Sequence, residues 1–294
     1  MTEKQTQDRW ATWLLQTRFG GYPEGKKVVL KGLFDVRDRV LANAQVSEGD
    51  VLLDVGAGDG LIAFGALPLV GDTGKVIFSD VSQDLLDHSR GLAEQLGVVD
   101  RVEFLRASAD DLSSLADSCV DVVTTRSVLI YVDRKREAFR EFFRVLKPSG
   151  RLSIFEPINR FHHPGPANVF MGIDVSPVQD IAEKVGALYA ELQPSESDPM
   201  LDFDERDLLA HAEAVGFDQI HLEYEASIKP RKPTPWERVL HSSGNPKIPT
   251  LEEAMSQTLT STEAEEFVAY LRPRVEAGAG VEREAVAYLW AIKV

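Results

Sequence analysis

The sequence predicts an α/β fold in which a mainly parallel sheet is covered on both faces by helices. Three observations predict it. From about residue 46, apolar strand-like runs alternate with helix-like runs, the pattern of right-handed crossovers in a parallel sheet. The run Val51-Leu52-Leu53-Asp54-Val55 leads straight into Gly56-Ala57-Gly58-Asp59-Gly60, and a helical stretch follows from Leu61. Glycine at every second position lets backbone N–H groups approach a ligand closely. A second strand ends in Asp80, 20 residues past Gly60, where a carboxylate accepts both hydroxyl protons of a ribose. Together the last two features put a nucleoside-bearing cofactor at the carboxyl ends of the strands.

Residues 1–45 read as a helical N-terminal cap. Trp10, Trp13, Leu14 and Leu15 give one apolar face, Leu33 to Leu41 gives a second, and Phe19-Gly20-Gly21-Tyr22-Pro23 makes the turn between them. Strands are expected at 51–55, 75–79, 102–106, 120–125 and 151–155. Helices fall between them, at Leu61 to Leu69, Gln83 to Leu96 and Arg134 to Leu146. In the last, Phe139, Phe142, Phe143 and Leu146 recur at helical spacing. Pro148-Ser149-Gly150 turns the chain into the fifth strand. The core is expected over 46–228, including a substrate-side segment, 158–203, with one helical run from Val178 to Leu192. Asp204, with Asp207 three residues on, opens a helix that Gly216 closes. Ile220 to Ile228 alternates as a strand. Residues 229–283 read as a lid-like insertion of two helices, and 284–294 as the last strand of the core.

At 294 residues and 44% hydrophobic composition the chain buries a sizeable core. No apolar run reaches the roughly 18–20 residues that span a bilayer, and the stretch Met1 to Arg9 is polar, so no membrane partner and a cytoplasmic location are expected. One cysteine, Cys119, leaves neither an intrachain disulfide nor a multi-cysteine metal site. No metal is expected. A net charge of −15 argues against nucleic acid as a partner. A small-molecule substrate, with the protein as monomer or homodimer, is the expectation.

The third position of a dinucleotide fingerprint, G-x-G-x-x-G, is occupied by Leu61. At this point the chain resembles the class I S-adenosylmethionine-dependent methyltransferases, over most of 46–228. Val51 to Gly60 resembles their first motif, and Asp80 their ribose-binding acid. Phe104-Leu105-Arg106-Ala107-Ser108-Ala109-Asp110-Asp111-Leu112 resembles the element that cradles adenine, with Ala107-Ser108 in place of the usual Gly-Asp. Asp121 to Tyr131 resembles the fourth strand and the loop beneath the methionine moiety. Arg144-Val-Leu-Lys-Pro-Ser-Gly150 is similar to a turn of the ubiquinone/menaquinone-biosynthesis-like small-molecule branch. The resemblance implies a Rossmann-like seven-stranded sheet, parallel with one antiparallel terminal strand, and S-adenosyl-L-methionine as cofactor. Its contacts would come from Asp54, Gly56, Ala57, Gly58, Gly60, Asp80, Val81, Ser108, Ala109, Asp110, Arg126 and Ser127. Arg18 or Arg37 would meet the methionine carboxylate.

The implied activity is methyl transfer to O, N or C of a small, aromatic or otherwise apolar metabolite. A sulfonium already activates the methyl group, so the protein mainly aligns the acceptor and keeps water out. A base is needed only where the acceptor must lose a proton. Tyr131, Glu156 at the end of the fifth strand, and His162 and His163 beyond it are the candidates. His211 reads as structural, and His241 as a weaker candidate. Trp10, Trp13, Phe19, Tyr22, Phe161, Phe170 and Trp236 are expected to enclose an apolar acceptor, to anchor the added segments to the core, or to form a dimer interface. Two other readings of the glycine loop are a nicotinamide-dependent dehydrogenase and a non-catalytic nucleoside-binding protein. Leu61 and the terminal strand count against the first, and the intact Asp54, Gly56, Gly58 and Asp80 against the second.

Overall fold

A computed structural model describes residues 7–19 and 23–294. Gly20, Gly21 and Tyr22 of the expected turn, and the side chain of Phe19, lie outside the described residues. The chain opens with α1 (Arg9–Leu15) and α2 (Pro23–Asn43). Strand–helix alternation follows as β1 (Val51–Val55), α3 (Leu61–Val70), β2 (Lys75–Asp80), α4 (Gln83–Leu96), β3 (Val102–Arg106), β4 (Val120–Arg126), α5 (Lys135–Val145) and β5 (Leu146–Pro157). After β5 come a small hairpin, β6 (Val169–Phe170) and β7 (Ile173–Asp174), then α6 (Gln179–Leu192), α7 (Glu205–Val215) and β8 (Asp218–Pro230). The insertion holds α8 (Trp236–His241), α9 (Leu251–Thr258) and α10 (Ser261–Glu276), and β9 (Val281–Ile292) ends the fold. The insertion thus has three helices rather than the expected two: α8 is a single short helix in a proline-rich stretch, too brief to show a period.

The main sheet has seven strands in the order β3-β2-β1-β4-β5-β9-β8. Pairs among β3, β2, β1, β4 and β5 are parallel, and β9 runs antiparallel to both β5 and β8. The chain-terminal strand therefore lies inside the sheet, and β8 forms its edge. Burying both faces needs apolar side chains above and below, and the strands supply them. Leu52, Val76, Phe78 and Val122 pack with Val40, Ile62 and Ala66 of the α2–α3 side, while Leu53, Val55, Val123 and Ile154 pack with Phe139, Phe142 and Leu208 of the α5–α7 side.

Local signals in the sequence account for the helix ends. Asp204 and Asp207 form a reciprocal capping box at α7, and Gly216 ends it in the left-handed region. On α5, Ala138, Phe139, Phe142 and Val145 are buried at i, i+1, i+4 and i+7. Arg144, in the last turn of α5, ties the helix to the loop after β3 through the carbonyls of Leu112 and Leu115, 2.9 Å each, and is steadied by a 2.8 Å bond to Glu141 of the same helix. The Arg144 position of the turn motif is thus a brace for the sheet's flank. Phe139 is fully buried between Phe142 and His211. Replacing Phe139 by alanine is expected to cost about 3–5 kcal/mol of unfolding free energy, read from urea titration, because the cavity it leaves is walled by rigid helix and sheet.

A separate apolar cluster joins Ile173, Val178, Ile181 and Val185 to Trp236, Leu251, Phe267 and Leu271. The α6 region and the insertion therefore share one small core. No described helix is long and apolar enough to cross a membrane.

Candidate functional site

The glycine loop leaves β1 between its two neighbours β2 and β4, at the carboxyl end of the sheet, where ligands bind in open α/β folds. Gly56, Gly58 and Gly60 all have positive φ, +66°, +57° and +81°. A side chain on any of them also meets an obstacle. A Cβ at Gly56 would overlap Val128; at Gly58 it would stand 3.0 Å from Leu14; at Gly60 it would stand 2.5 Å from the Phe64 ring. The loop is a backbone cradle closed by the β4 loop on one side and by α1 on another. The N–H of Ala57 donates to the carbonyl of Ser79, so Ala57 contributes to the loop's shape.

Asp80 is buried at the end of β2. Oδ2 accepts from the Gly58 N–H and Oδ1 from the Ser82 N–H, both at 2.9 Å. Each oxygen keeps a further lone pair, which suits it to a diol. Burial pushes this carboxyl up, and the backbone N–H bonds work against that shift. Val81, next in the chain, is 44% exposed, an apolar surface beside the acid. Asp54 lies wholly inside, accepting from the Thr124 hydroxyl at 2.9 Å and the Ala63 N–H at 3.1 Å. Burial raises it to about 7. It shapes the loop from beneath and has no open face toward a ligand.

The β3 loop differs in detail from the adenine contact inferred from sequence. The Ser108 hydroxyl donates to Asp110, and Asp110 in turn holds Arg134 at 2.8 Å. Ala109 is buried. The segment is a self-bonded wall, and the Ser108 hydroxyl is engaged within it. On β4, Arg126 ends the strand and Ser127 takes the left-handed region, φ +56°, with its N–H on the Phe155 carbonyl at 2.8 Å. A non-glycine residue held at positive φ marks a loop whose surroundings fix it. Of the two arginines considered for a carboxylate, Arg18 is at the site. It lies 5.3 Å from the Trp13 ring, among the charges of Arg126 and Asp59, and burial brings it down to about 10. Arg37 instead packs on Gly65 of α3 and pairs with Asp38.

At the end of the loop after β4, the Tyr131 ring meets the Trp10 ring in a T-shaped contact at 4.9 Å, and burial raises its phenol above the ordinary range. His162 and His163 stand with rings 4.6 Å apart, His162 half-buried and His163 exposed, and partial desolvation of the rings lowers both. They are neutral near neutral pH, the state in which an imidazole accepts a proton. Nδ1 of His162 is buried with no hydrogen-bond partner among the described residues. Glu156 does not open onto the cleft, contrary to expectation. It is fully buried and its oxygens accept from the N–H groups of Val128, Leu129 and Ile130. His241 stands between Glu237 and Glu252 at the outer junction of α1 and the insertion. Phe170 and Trp236 belong to the small core of the insertion, so they anchor that segment.

The sequence reading missed Asp8. Its Oδ1 caps α1 through the N–H groups of Trp10 and Ala11, its Oδ2 accepts from the Ser82 hydroxyl at 2.7 Å, and its own N–H donates to Asp84 at 2.6 Å. This pins α1 to the turn that follows Asp80. Trp13 extends the brace, its indole N–H donating to the Ser243 carbonyl at 3.0 Å. The aspartate before an apolar run was visible as a cap; its partners, 74 and 76 residues away, were not.

Comparison with known proteins agrees with this geometry. Residues 32–165 match the ubiE/COQ5 methyltransferase family. The chain is 37% identical over 111 residues to the ubiquinone/menaquinone biosynthesis C-methyltransferase UbiE of Salmonella arizonae, a match that covers 38% of this chain and 44% of that protein. The chain thus spans less than half the length of the curated relatives it matches. Among solved structures, a putative methyltransferase from Bacillus halodurans superposes with a TM-score of 0.53 at 20% identity, covering 87% of this chain and 98% of that one. A geranyl diphosphate methyltransferase in complex with SAM gives 0.51 at 16% identity, covering 89% and 85%. The cradle of three positive-φ glycines and the buried acid at the end of β2 fit a nucleoside cofactor of this kind. The chain carries the class I S-adenosylmethionine-dependent methyltransferase fold.

Proposed function

We propose that this protein transfers a methyl group from S-adenosylmethionine to a small, aromatic or otherwise apolar acceptor by in-line displacement. The observation that carries the reading is the juxtaposition of the Gly56–Gly60 cradle with Asp80, whose carboxylate is bonded to the cradle's own Gly58 N–H. When bound, the cofactor supplies an activated methyl on a positive sulfur. The chain's part is to hold it and to exclude water. Asp80 takes the ribose, Val81 and the wall around Ala109 flank the base, and Arg18 and Arg126 face the methionine end. Trp10 and Tyr131 close the acceptor side with aromatic surface, which favours a flat or greasy substrate over a charged one. His162 and His163 are the groups able to take up a proton from the acceptor.

The sheet order speaks against a nicotinamide-dependent dehydrogenase. A dinucleotide fold continues its parallel order with a sixth parallel strand, whereas here the antiparallel β9 follows β5. Calorimetric titration with S-adenosylhomocysteine tests the proposal, with NAD in parallel. Saturable binding of the former is expected, weakened roughly 10- to 100-fold by Asp80→Ala, since that variant removes charge-assisted bonds to the ribose. NAD binding without S-adenosylhomocysteine binding would overturn the reading.

A further inference from the structure

Glu156, the last residue but one of β5, stands opposite Ala287 of β9 and is fully buried. Its Oε1 accepts from the backbone N–H of Val128 and of Leu129, both at 2.9 Å, and its Oε2 from Ile130 at 3.3 Å. Lys135, whose charge acts on it, is itself held by the carbonyls of Val132 and Pro199 at 3.0 Å and by Asp202 at 2.6 Å. Burying a carboxylate without a direct cationic partner is costly, and consecutive backbone donors are what offsets it. In return those donors lose their freedom, and the loop they belong to is fixed.

That loop touches both halves of the site. At its start, the Val128 side chain fills the space where a side chain on Gly56 would stand. At its end, Tyr131 packs edge-on against Trp10 of the cap. We propose that Glu156 is a positioning residue: by gripping the backbone of 128–130 it sets Val128 against Gly56 and so shapes the part of the cradle that takes the amino-acid end of the cofactor, with Tyr131 carried along on the same loop. The inference rests on the cofactor reading above. It also replaces the role of base that an acid at the end of a strand suggests, because both oxygens of Glu156 are already committed.

The geometry makes the substitutions specific. Glutamine in place of Glu156 keeps the length but sets an amide N–H₂ against the Ile130 N–H, donor against donor. Aspartate keeps the charge and falls one methylene short of all three donors. Neither touches the ribose-binding Asp80. The experiment is competition calorimetry with two ligands, S-adenosylhomocysteine and 5′-methylthioadenosine, which lacks the amino-acid end, on wild type, Glu156→Gln and Glu156→Asp, with circular dichroism to establish folding. Glu156→Gln is expected to weaken S-adenosylhomocysteine by about tenfold while 5′-methylthioadenosine changes by no more than about twofold. Should the glutamine variant not fold, Glu156→Asp is expected to show the same split. Unchanged S-adenosylhomocysteine affinity, or equal weakening of both ligands, would overturn the positioning role, the latter because general damage to the fold does not distinguish the two ends of a ligand. Failure of wild type to bind S-adenosylhomocysteine at all would instead strike at the cofactor reading.

Discussion

Gly56→Ala is expected to reduce S-adenosylhomocysteine affinity by about 100-fold or more, while Gly97→Ala, at nearly the same φ, leaves it unchanged. The two positions separate backbone strain from occupied space. Both glycines are left-handed, +66° and +68°. An alanine in that region costs roughly 1–2 kcal/mol wherever it stands. At Gly97, the C-cap of α4, nothing lies within 4 Å of the added Cβ, so the strain is the whole effect and it falls on stability. At Gly56 the added Cβ overlaps Val128, and Val128 cannot retreat freely because its own N–H is held by Glu156. The cradle must then open by moving its backbone, which displaces the N–H groups that face the ligand. About 100-fold corresponds to roughly 2.7 kcal/mol, in keeping with strain plus a forced shift in a close-packed site. Equal affinity of the two variants would mean that the β4 loop yields to the clash, and the fixed-loop picture would fall with it.

The fate of Gly56 was legible in the sequence only in part. A strand running into glycines at every second position, followed by a helix, is a local pattern, and so are the Asp204 capping box and the helical spacing of Phe139 and Phe142. Such features depend on residues within a few positions of one another, and the structure keeps them. The obstacle at Gly56 comes from Val128, and the grip on Val128 comes from Glu156, 28 residues further along. No spacing rule links them. The same limit explains why Glu156 read as an open acid, why Asp8 was not seen to bond Ser82, and why the sequence left Phe170 and Trp236 open between pocket wall and anchor. Each was judged from its place along the chain, while its role is set by what the fold brings against it. The insertion of β9 between β5 and β8 belongs to this class too: the sequence shows a last strand, and only the pairing of Glu156 with Ala287 and of Tyr224 with Ala287 shows where it lies.

The stability cost of Asp54→Asn is expected to shrink by as much as about 2.7 kcal/mol between pH 5 and pH 8. Asp54 is fully buried and its carboxyl is raised from 3.8 to about 7 by burial, against the opposing bonds from Thr124 and Ala63 and the charge of Arg126. The folded pKa lies above the unfolded one. Between about pH 4 and pH 7 the folded protein therefore holds a proton that the unfolded chain has released, and wild-type stability is lost as pH rises through that window, levelling off above 7. Asparagine does not titrate, and it can keep both bonds, its oxygen accepting from Ala63 and its amide donating to the Thr124 oxygen. At pH 5 it replaces a neutral acid of the same shape; at pH 8 it replaces a buried charge. The ceiling of about 2.7 kcal/mol follows from the span between pH 5, where the unfolded carboxyl has already ionised, and the folded value of about 7. Glu156, raised from 4.5 to about 7 by burial, should show a pH dependence of the same sign with a ceiling of about 2.5 kcal/mol over this range. Burial lowers His162, His163 and His211, which pushes wild-type stability the other way below about pH 6.5. Those histidines are common to wild type and variant, so they cancel in the difference between urea titrations at the two pH values. A cost that is the same at pH 5 and pH 8 would show that Asp54 ionises in the folded protein as an ordinary carboxylate. Its enclosure between β1, β4 and α3 would then have to be reached by water, and the dry floor assigned to the cradle would be wrong.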